Sequence, residues 1–243
     1  MRLKIIIPNS SNDFLLSQKD SRTAMLSPDF TGEVICLREG PVPLESPCDE
    51  ALVAGPVLRK VKVAEAEGYD AICIDCAADP IPRAIRELIH IPVISAGEAA
   101  IAIALVLGDR FSVITVLDST RRIIEGNIRK CSLTGRCASV RAVGIPVLAL
   151  DDLDRATDAI LKEAGSAVEM DGADVIVLGC TGMSSSMNRL RASLDVPVVD
   201  PAEAGIRVAE SLARMRVSHS RKCYPAAPSK EIKGAYLSCL GIV

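Results

Sequence analysis

Two cysteines of this 243-residue chain close stretches that nearly repeat one another: Gly68-Tyr69-Asp70-Ala71-Ile72-Cys73-Ile74-Asp75-Cys76 and, a hundred-odd residues on, Gly172-Ala173-Asp174-Val175-Ile176-Val177-Leu178-Gly179-Cys180. A second pair keeps almost the same offset: Ile91-Pro92-Val93-Ile94 with Glu98-Ala99-Ala100, against Val196-Pro197-Val198-Val199 with Glu203-Ala204-Gly205. A weaker third pair sets Lys4-Ile5-Ile6-Ile7 with Ser10-Ser11 against Ser112-Val113-Ile114-Thr115 with Ser119-Thr120. The chain reads as two similar halves, each carrying one thiol at an equivalent place. Halves that face each other about a pseudo-twofold axis put both thiols on one cleft. Two acid/base groups on opposite sides of a small molecule are what inversion of a carbon centre requires.

The neighbours of the two thiols support this use. Ala77-Ala78-Asp79-Pro80 and Thr181-Gly182-Met183-Ser184 read as tight turns entering helices, whose amides favour a thiolate and can hold a carboxylate or enolate oxygen. Small residues there, Ala77 in one copy and Thr181 and Gly182 in the other, leave room for a ligand. The competing reading is that these are core cysteines, since free Cys is among the most buried residue types. It suits Cys36, Cys73, Cys131 and Cys137. It suits the repeated pair poorly, because Val177 replaces Cys73 in the second copy while the terminal thiol is kept. Cys73-x-x-Cys76 also has a metal or redox spacing, but no second ligand pair lies nearby and His90 and His219 are the only histidines. Residues three apart on a strand point to opposite faces, whereas redox motifs of this kind open a helix.

Asn9 and Ser10, after the first strand, are candidate substrate contacts, with Ser11 or Asn12 capping the following helix. Thr115 ends the matching strand of the second half and joins the candidates, its plainer role being that of a β-former. Glu45 falls in a loop where a carboxylate is usually solvated. Glu98 and Glu203 sit in first helical turns, where negative charge complements the dipole, and read as structural.

Short β-branched runs alternating with helical stretches predict parallel sheets covered by helices. The strands fall at Leu3–Ile7, Glu33–Leu37, Ala71–Ile74, Val93–Ile94, Ser112–Val116, Ser139–Val143, Val175–Leu178 and Val198–Val199. Helices are predicted at Asp13–Met25, Cys48–Gly68 with a break near Gly55-Pro56, Pro82–Ile89, Gly97–Leu107, Ser119–Cys131, Leu153–Asp171, Ser185–Leu194 and Pro201–Met215. The fold class is α/β: two pseudo-symmetric domains, each a four-stranded parallel sheet, with the site in the cleft between them. The first domain takes residues 1–96, with the C-terminal helix and tail 207–243 returning to it; the second takes 97–206. The segment Lys222–Lys230 reads as an extended strap.

Composition narrows the function classes. Hydrophobic residues make up 49% and charged ones 24%, a globular balance. With 28 basic and 31 acidic residues, a net charge of −3, three Phe, three Tyr and no Trp, neither an electrostatic nor a stacking surface for nucleic acid is expected. Pro8 cuts the first apolar run short of a signal-peptide core, and no uncharged run reaches the length of a membrane span. Nine scattered cysteines fit free thiols in a reducing compartment, so a cytoplasmic protein without a membrane partner is expected.

At this point the chain resembles the aspartate/glutamate/hydantoin racemase superfamily over nearly its entire length, and within it the hydantoin and allantoin racemases. The likeness rests on Pro8-Asn9-Ser10-Ser11, Gly40-Pro41, Gly68-Tyr69-Asp70-Ala71 leading to Cys76, Gly97-Glu98-Ala99-Ala100, Arg110-Phe111-Ser112-Val113-Ile114-Thr115, Val177-Leu178-Gly179-Cys180-Thr181-Gly182-Met183 and the Tyr224-Pro225 tail. The resemblance implies Cys76 and Cys180 as catalytic acid/base residues, no cofactor, a small-molecule substrate and a homo-oligomer. It implies a racemase acting by 1,1-proton transfer on a 5-substituted hydantoin, allantoin or a related cyclic amide. Alternatives are an Asp/Glu-type amino-acid racemase, a maleate isomerase-like enzyme and a non-enzymatic small-molecule binder. The chain departs from the family pattern at Ile7, where a second Asn is usual, and at Ala77, where a larger residue is common. Gly182 stands where glutamate racemases have His, and no Asp-Ser pair follows the first strand. Arylmalonate decarboxylases resemble this fold without the first thiol, so Cys76 argues against them; Leu117 stands near where maleate isomerases are expected to have a tyrosine.

Overall fold

All eight expected strands form, and every pairing between them is parallel. A computed structural model describes residues 1–228. The first half runs β1 (Arg2–Ile7), α1 (Asn12–Ala24), β2 (Thr31–Cys36), α2 (Pro47–Ala66), β3 (Ala71–Ile74), α3 (Pro82–Leu88), β4 (Val93–Ser95) and α4 (Ala96–Leu107). The second runs β5 (Phe111–Thr115), α5 (Asp118–Lys130), β6 (Cys137–Ala142), α6 (Leu153–Glu169), β7 (Val175–Leu178), α7 (Met187–Ser193), β8 (Val198–Val199) and α8 (Pro201–Met215), with 3-10 turns at Val147–Ala149 and Thr181–Ser186. The sheet orders are β2-β1-β3-β4 and β6-β5-β7-β8, the same topology twice.

Burial differs between the centre of each sheet and its β2 or β6 edge, while the short edge strands β4 and β8 are buried. The central strands β3, β5 and β7 are wholly buried, as parallel strands covered on both faces must be, while the edge strands β2 and β6 are largely half-buried. Lys4 can lie within β1 because its ammonium reaches Glu33 on β2 at 2.7 Å and sits over the Tyr69 ring at 4.7 Å. The same logic corrects the cysteine assignment. Of the four expected in the core only Cys73 is buried; Cys36 and Cys137 lie on the edge strands and are half-buried, and Cys131, just past α5, is exposed.

Two helices cross between the halves. After β4 the chain passes to the second sheet, where α4 packs on β5, β7 and β8; after β8 it returns, and α8 packs on β1, β3 and β4. The two helices also pack on each other, so one core cluster joins Leu3, Ile5 and Cys73 to Ala100, Val113, Val175 and Ile206. The expected boundary after residue 206 falls inside α8.

Local capping sets the starts of the helices around the strand ends. Ser11 caps α1, its hydroxyl accepting from the Phe14 N–H at 3.1 Å; at the start of α4 Glu98 Oε1 accepts from the Ser95 N–H at 3.2 Å; Asp200 caps α8 through Ala202 N–H at 2.9 Å. The break expected in α2 does not occur. Pro56 is buried on the core side, and the carbonyl that loses its donor belongs to Leu52, which is exposed, so water can take the bond. Past α8, His219 Nε2 accepts from the Val93 N–H at 2.9 Å and Arg221 donates to the Arg86 carbonyl at 2.9 Å, holding this segment against the first half. Of the expected strap, Lys222–Tyr224 form a turn closed on the Ser220 carbonyl, 225–228 lack regular structure, and 229–243 lie outside the described residues. Among the described residues no helix is long and apolar enough to cross a membrane.

Candidate active site

In an open parallel sheet, ligands bind beyond the carboxyl ends of the strands where the strand order reverses. Here that point lies between β1 and β3 in one half and between β5 and β7 in the other. Asn9 follows β1, Cys76 follows β3, Thr115 ends β5 and Cys180 follows β7.

The two thiols sit in the same backbone device. Beyond Cys76 the chain turns back, the Asp79 N–H donating to the Cys76 carbonyl at 3.2 Å; beyond Cys180 the Met183 N–H donates to the Cys180 carbonyl at 3.1 Å. In each turn the amide two residues on, Ala78 or Gly182, donates to the cysteine sulfur. The first turn continues through Asp79 at φ 52° and Ile81 at φ 48°, left-handed positions held in part by Gly97 N–H on Asp79 Oδ1 at 2.8 Å. The second runs straight into its 3-10 turn.

Both thiols open onto one space, described by two overlapping pockets that share Leu44, Cys76, Val147, Cys180 and Thr181. Leu44 and Val147 come from the loops after β2 and β6, equivalent places in the two halves. Glu45 was expected to be solvated; instead its Oε1 accepts from the Val147 N–H at 2.7 Å and joins these two apolar lips. Burial is the main cause that pushes the Cys76 thiol far above the ordinary range, the Ala78 N–H opposing it and Cys180, Asp79 and Asp75 adding to it. Cys180 is pushed up to about 11, again chiefly by burial; the Gly182 N–H and Arg22 pull it down, and Asp75 and Glu45 push it up. Burial thus disfavours the thiolate form at both cysteines, and the turn amide behind each sulfur opposes that penalty.

Beneath the cavity lies a charged bridge that the sequence reading missed. Arg22, fully buried on α1, donates from Nε to Asp75 Oδ2 at 2.8 Å and from a terminal nitrogen to the Thr181 carbonyl at 2.7 Å. Thr181 Oγ1 donates back to the Asp75 carbonyl at 3.3 Å. The residue before one thiol and the residue after the other are thus tied together through one guanidinium. The only signal in the sequence was the charge itself, an aspartate in an otherwise apolar strand end.

The other candidates divide. Asn9 and Thr181 line the cavity beside the thiols, and Ala77 lines its second lobe. Ser10 is not among the lining residues; its hydroxyl donates to the Gly40 carbonyl at 2.8 Å and so anchors the neighbouring loop. Thr115 is fully buried and donates to the Gly179 carbonyl at 3.2 Å, supporting the second thiol's approach from behind. Gly182 meets Cys180 through its amide and packs beside Phe14 and Leu150. Among the described residues no group of three or more His, Cys, Asp or Glu side chains is gathered as a metal ion would require.

Two like parallel sheets with a thiol at each switch point define an α/β protein with one pocket lined from both halves. The Asp/Glu/hydantoin racemase family matches residues 3–209. The chain is 37% identical to a hydantoin racemase of Rhizobium meliloti over 213 residues, 87% of this chain and 88% of the relative. It superimposes on an allantoin racemase from Pseudomonas fluorescens with a TM-score of 0.91 and 33% identity, covering 96% of this chain and 100% of that one. An allantoin racemase from Klebsiella pneumoniae gives a TM-score of 0.91 and 31% identity, covering 98% of each. The chain belongs to the Asp/Glu/hydantoin racemase family and is an isomerase of the racemase class.

Proposed function

We propose that the protein racemises a small cyclic amide, a 5-substituted hydantoin or allantoin, by passing a proton between Cys76 and Cys180 without a cofactor. The observation that carries this reading is the single cavity onto which both thiols open, each backed by the amide two residues on. A hydrogen next to a ring carbonyl is only moderately acidic. One cysteine, as thiolate, takes it; the C–H electron pair moves into a C=C bond and the carbonyl becomes an enolate oxygen. The amides of Ala77 and Thr181, directly after the two cysteines and distinct from those that face the sulfurs and close the turns, supply donors for that charge. The opposite thiol then protonates the carbon from the other face, so one substrate hand becomes the other and the two cysteines exchange protonation states. Reversing the roles handles the second hand.

Cavity and relatives support the substrate class. Phe14, Leu44 and Val147 offer apolar walls to a ring substituent, Asn9 and Thr181 bring polar groups beside the thiols, and the similar proteins named above are hydantoin and allantoin racemases. The test is optical rotation of single-handed 5-substituted hydantoins and of allantoin incubated with purified protein, against a protein-free control. Decay to zero faster than the control supports the racemase. Tight binding without faster decay overturns it in favour of a binding protein. Dialysis against a chelator should leave the rate unchanged; loss restored by a divalent metal would remove the cofactor-free part of the proposal.

A further inference from the structure

Directly before the first thiol stands a carboxylate with half of its hydrogen-bonding capacity unspoken for. Asp75 is 2% exposed and lines the cavity together with Cys76, Cys180 and Asn9. Its Oδ2 is held by Arg22 at 2.8 Å, whereas Oδ1 is buried and has no partner. A buried acceptor left without a partner is destabilising, the more so on a charged group, and an ionised carboxylate can only accept. Arg22 fixes the orientation of this acceptor, since its other contact, to the Thr181 carbonyl, anchors the guanidinium in the opposite half. The second half offers no equivalent. The residue before Cys180 is Gly179, where a Cβ would stand 2.7 Å from Thr115 Cβ and 2.9 Å from Val113 Cγ1, so no side chain fits.

Resting on the cyclic-amide reading above, we propose that Asp75 Oδ1 is a specificity contact that accepts a hydrogen bond from the ring N–H bonded to the reacting carbon. Asp75 adjoins Cys76, and the reacting carbon must lie between the two thiols; the nearest donor on a hydantoin ring is therefore N1–H.

The experiment compares a racemisable 5-substituted hydantoin with its 1-methyl and 3-methyl derivatives on the wild-type protein and on Asp75→Asn. A site built to bond a substrate N–H rejects the analogue lacking it, so kcat/KM should fall at least about tenfold for the 1-methyl compound. It should change little for the 3-methyl compound. In Asp75→Asn the parent should fall to the level of its 1-methyl derivative, cancelling the discrimination. Because that variant disturbs a buried ion pair, the wild-type substrate series stands on its own. A 1-methyl compound turned over as well as the parent overturns the proposal, and so does equal discrimination by wild type and folded Asp75→Asn. Calorimetric binding of 5,5-dimethylhydantoin, which has no hydrogen to exchange, against its 1-methyl derivative tests the same contact without turnover. A wild-type preference for the N–H ring, lost in Asp75→Asn, sustains the inference even if no racemisation is found; equal binding of the two rings sinks it.

Discussion

The two halves share strand order, turn closure and the position of a thiol, yet the surroundings of the two thiols differ. In the first half the thiol follows Asp75, a buried carboxylate paired with Arg22; in the second it follows Gly179, where neighbouring side chains fill the space a Cβ would need. Ala77 and Thr181 occupy the next equivalent places, and only the threonine reaches across, to the Asp75 carbonyl. On the two-thiol proposal, the repeated scaffold supplies what a racemase needs twice, and the unrepeated residues supply what it needs once. Interconversion of mirror images has an equilibrium constant of one, so kcat/KM must be equal for the two hands. Unequal thiols can therefore express themselves only in kcat and KM taken separately.

The comparison breaks most decisively at the sulfurs. Cys76→Ser and Cys180→Ser should each lose racemisation by roughly 10²–10⁴-fold, the range of a general acid or base. Each variant keeps one thiol and should exchange the substrate hydrogen for deuterium in only one hand, the two variants choosing opposite hands. Proton NMR in deuterated water reads this, and full racemisation by either variant would abolish the division of labour. Next comes the bridge: Arg22→Met leaves Asp75 buried without its counterion and should cost about 3–5 kcal/mol in a denaturant titration, while adding Asp75→Leu should recover most of it. Gly179→Ala, which forces a methyl between Thr115 and Val113, should cost about 1–3 kcal/mol by overpacking.

The pH dependence of stability is of the same order as the Gly179→Ala effect. Cys180 ionises near 9 when unfolded and at about 11 when folded, so above pH 9 the unfolded chain has already released a proton that the native state retains. Stability should fall as pH rises through this window, and Cys180→Ser should flatten the Cys180 share of that decline. Racemisation should climb over the same range, since one thiol must ionise. An unchanged alkaline slope in the variant would show that the second thiol is not the group responsible.

The repeat made much of this legible. Apolar runs announced the eight strands, and Cys76 and Cys180 stood out because a duplicated segment kept its terminal thiol while exchanging Cys73 for Val177. What the sequence hid were contacts between distant places. Arg22 and Asp75 are 53 residues apart and follow no local pattern, and Glu45 reaches Val147 across 102 residues. Ser10 and Thr115 have the chemistry of ligand contacts, but nearby carbonyls take their hydroxyls. Edge position, invisible to hydrophobicity alone, took Cys36 and Cys137 out of the core, and the Leu52 carbonyl's access to water let α2 run through Pro56.

The exchanged helices govern how the molecule can be assembled. The face of the first sheet that α8 covers stays open during synthesis until residue 215 has emerged, long after its own strands are complete, because the helix following β4 has gone to the other sheet. Domains ordinarily mature in turn from the N-terminus. Here neither sheet is sealed until both are made, and a chain stopped anywhere short of α8 presents Leu3, Ile5 and Cys73 to solvent as a surface prone to aggregation.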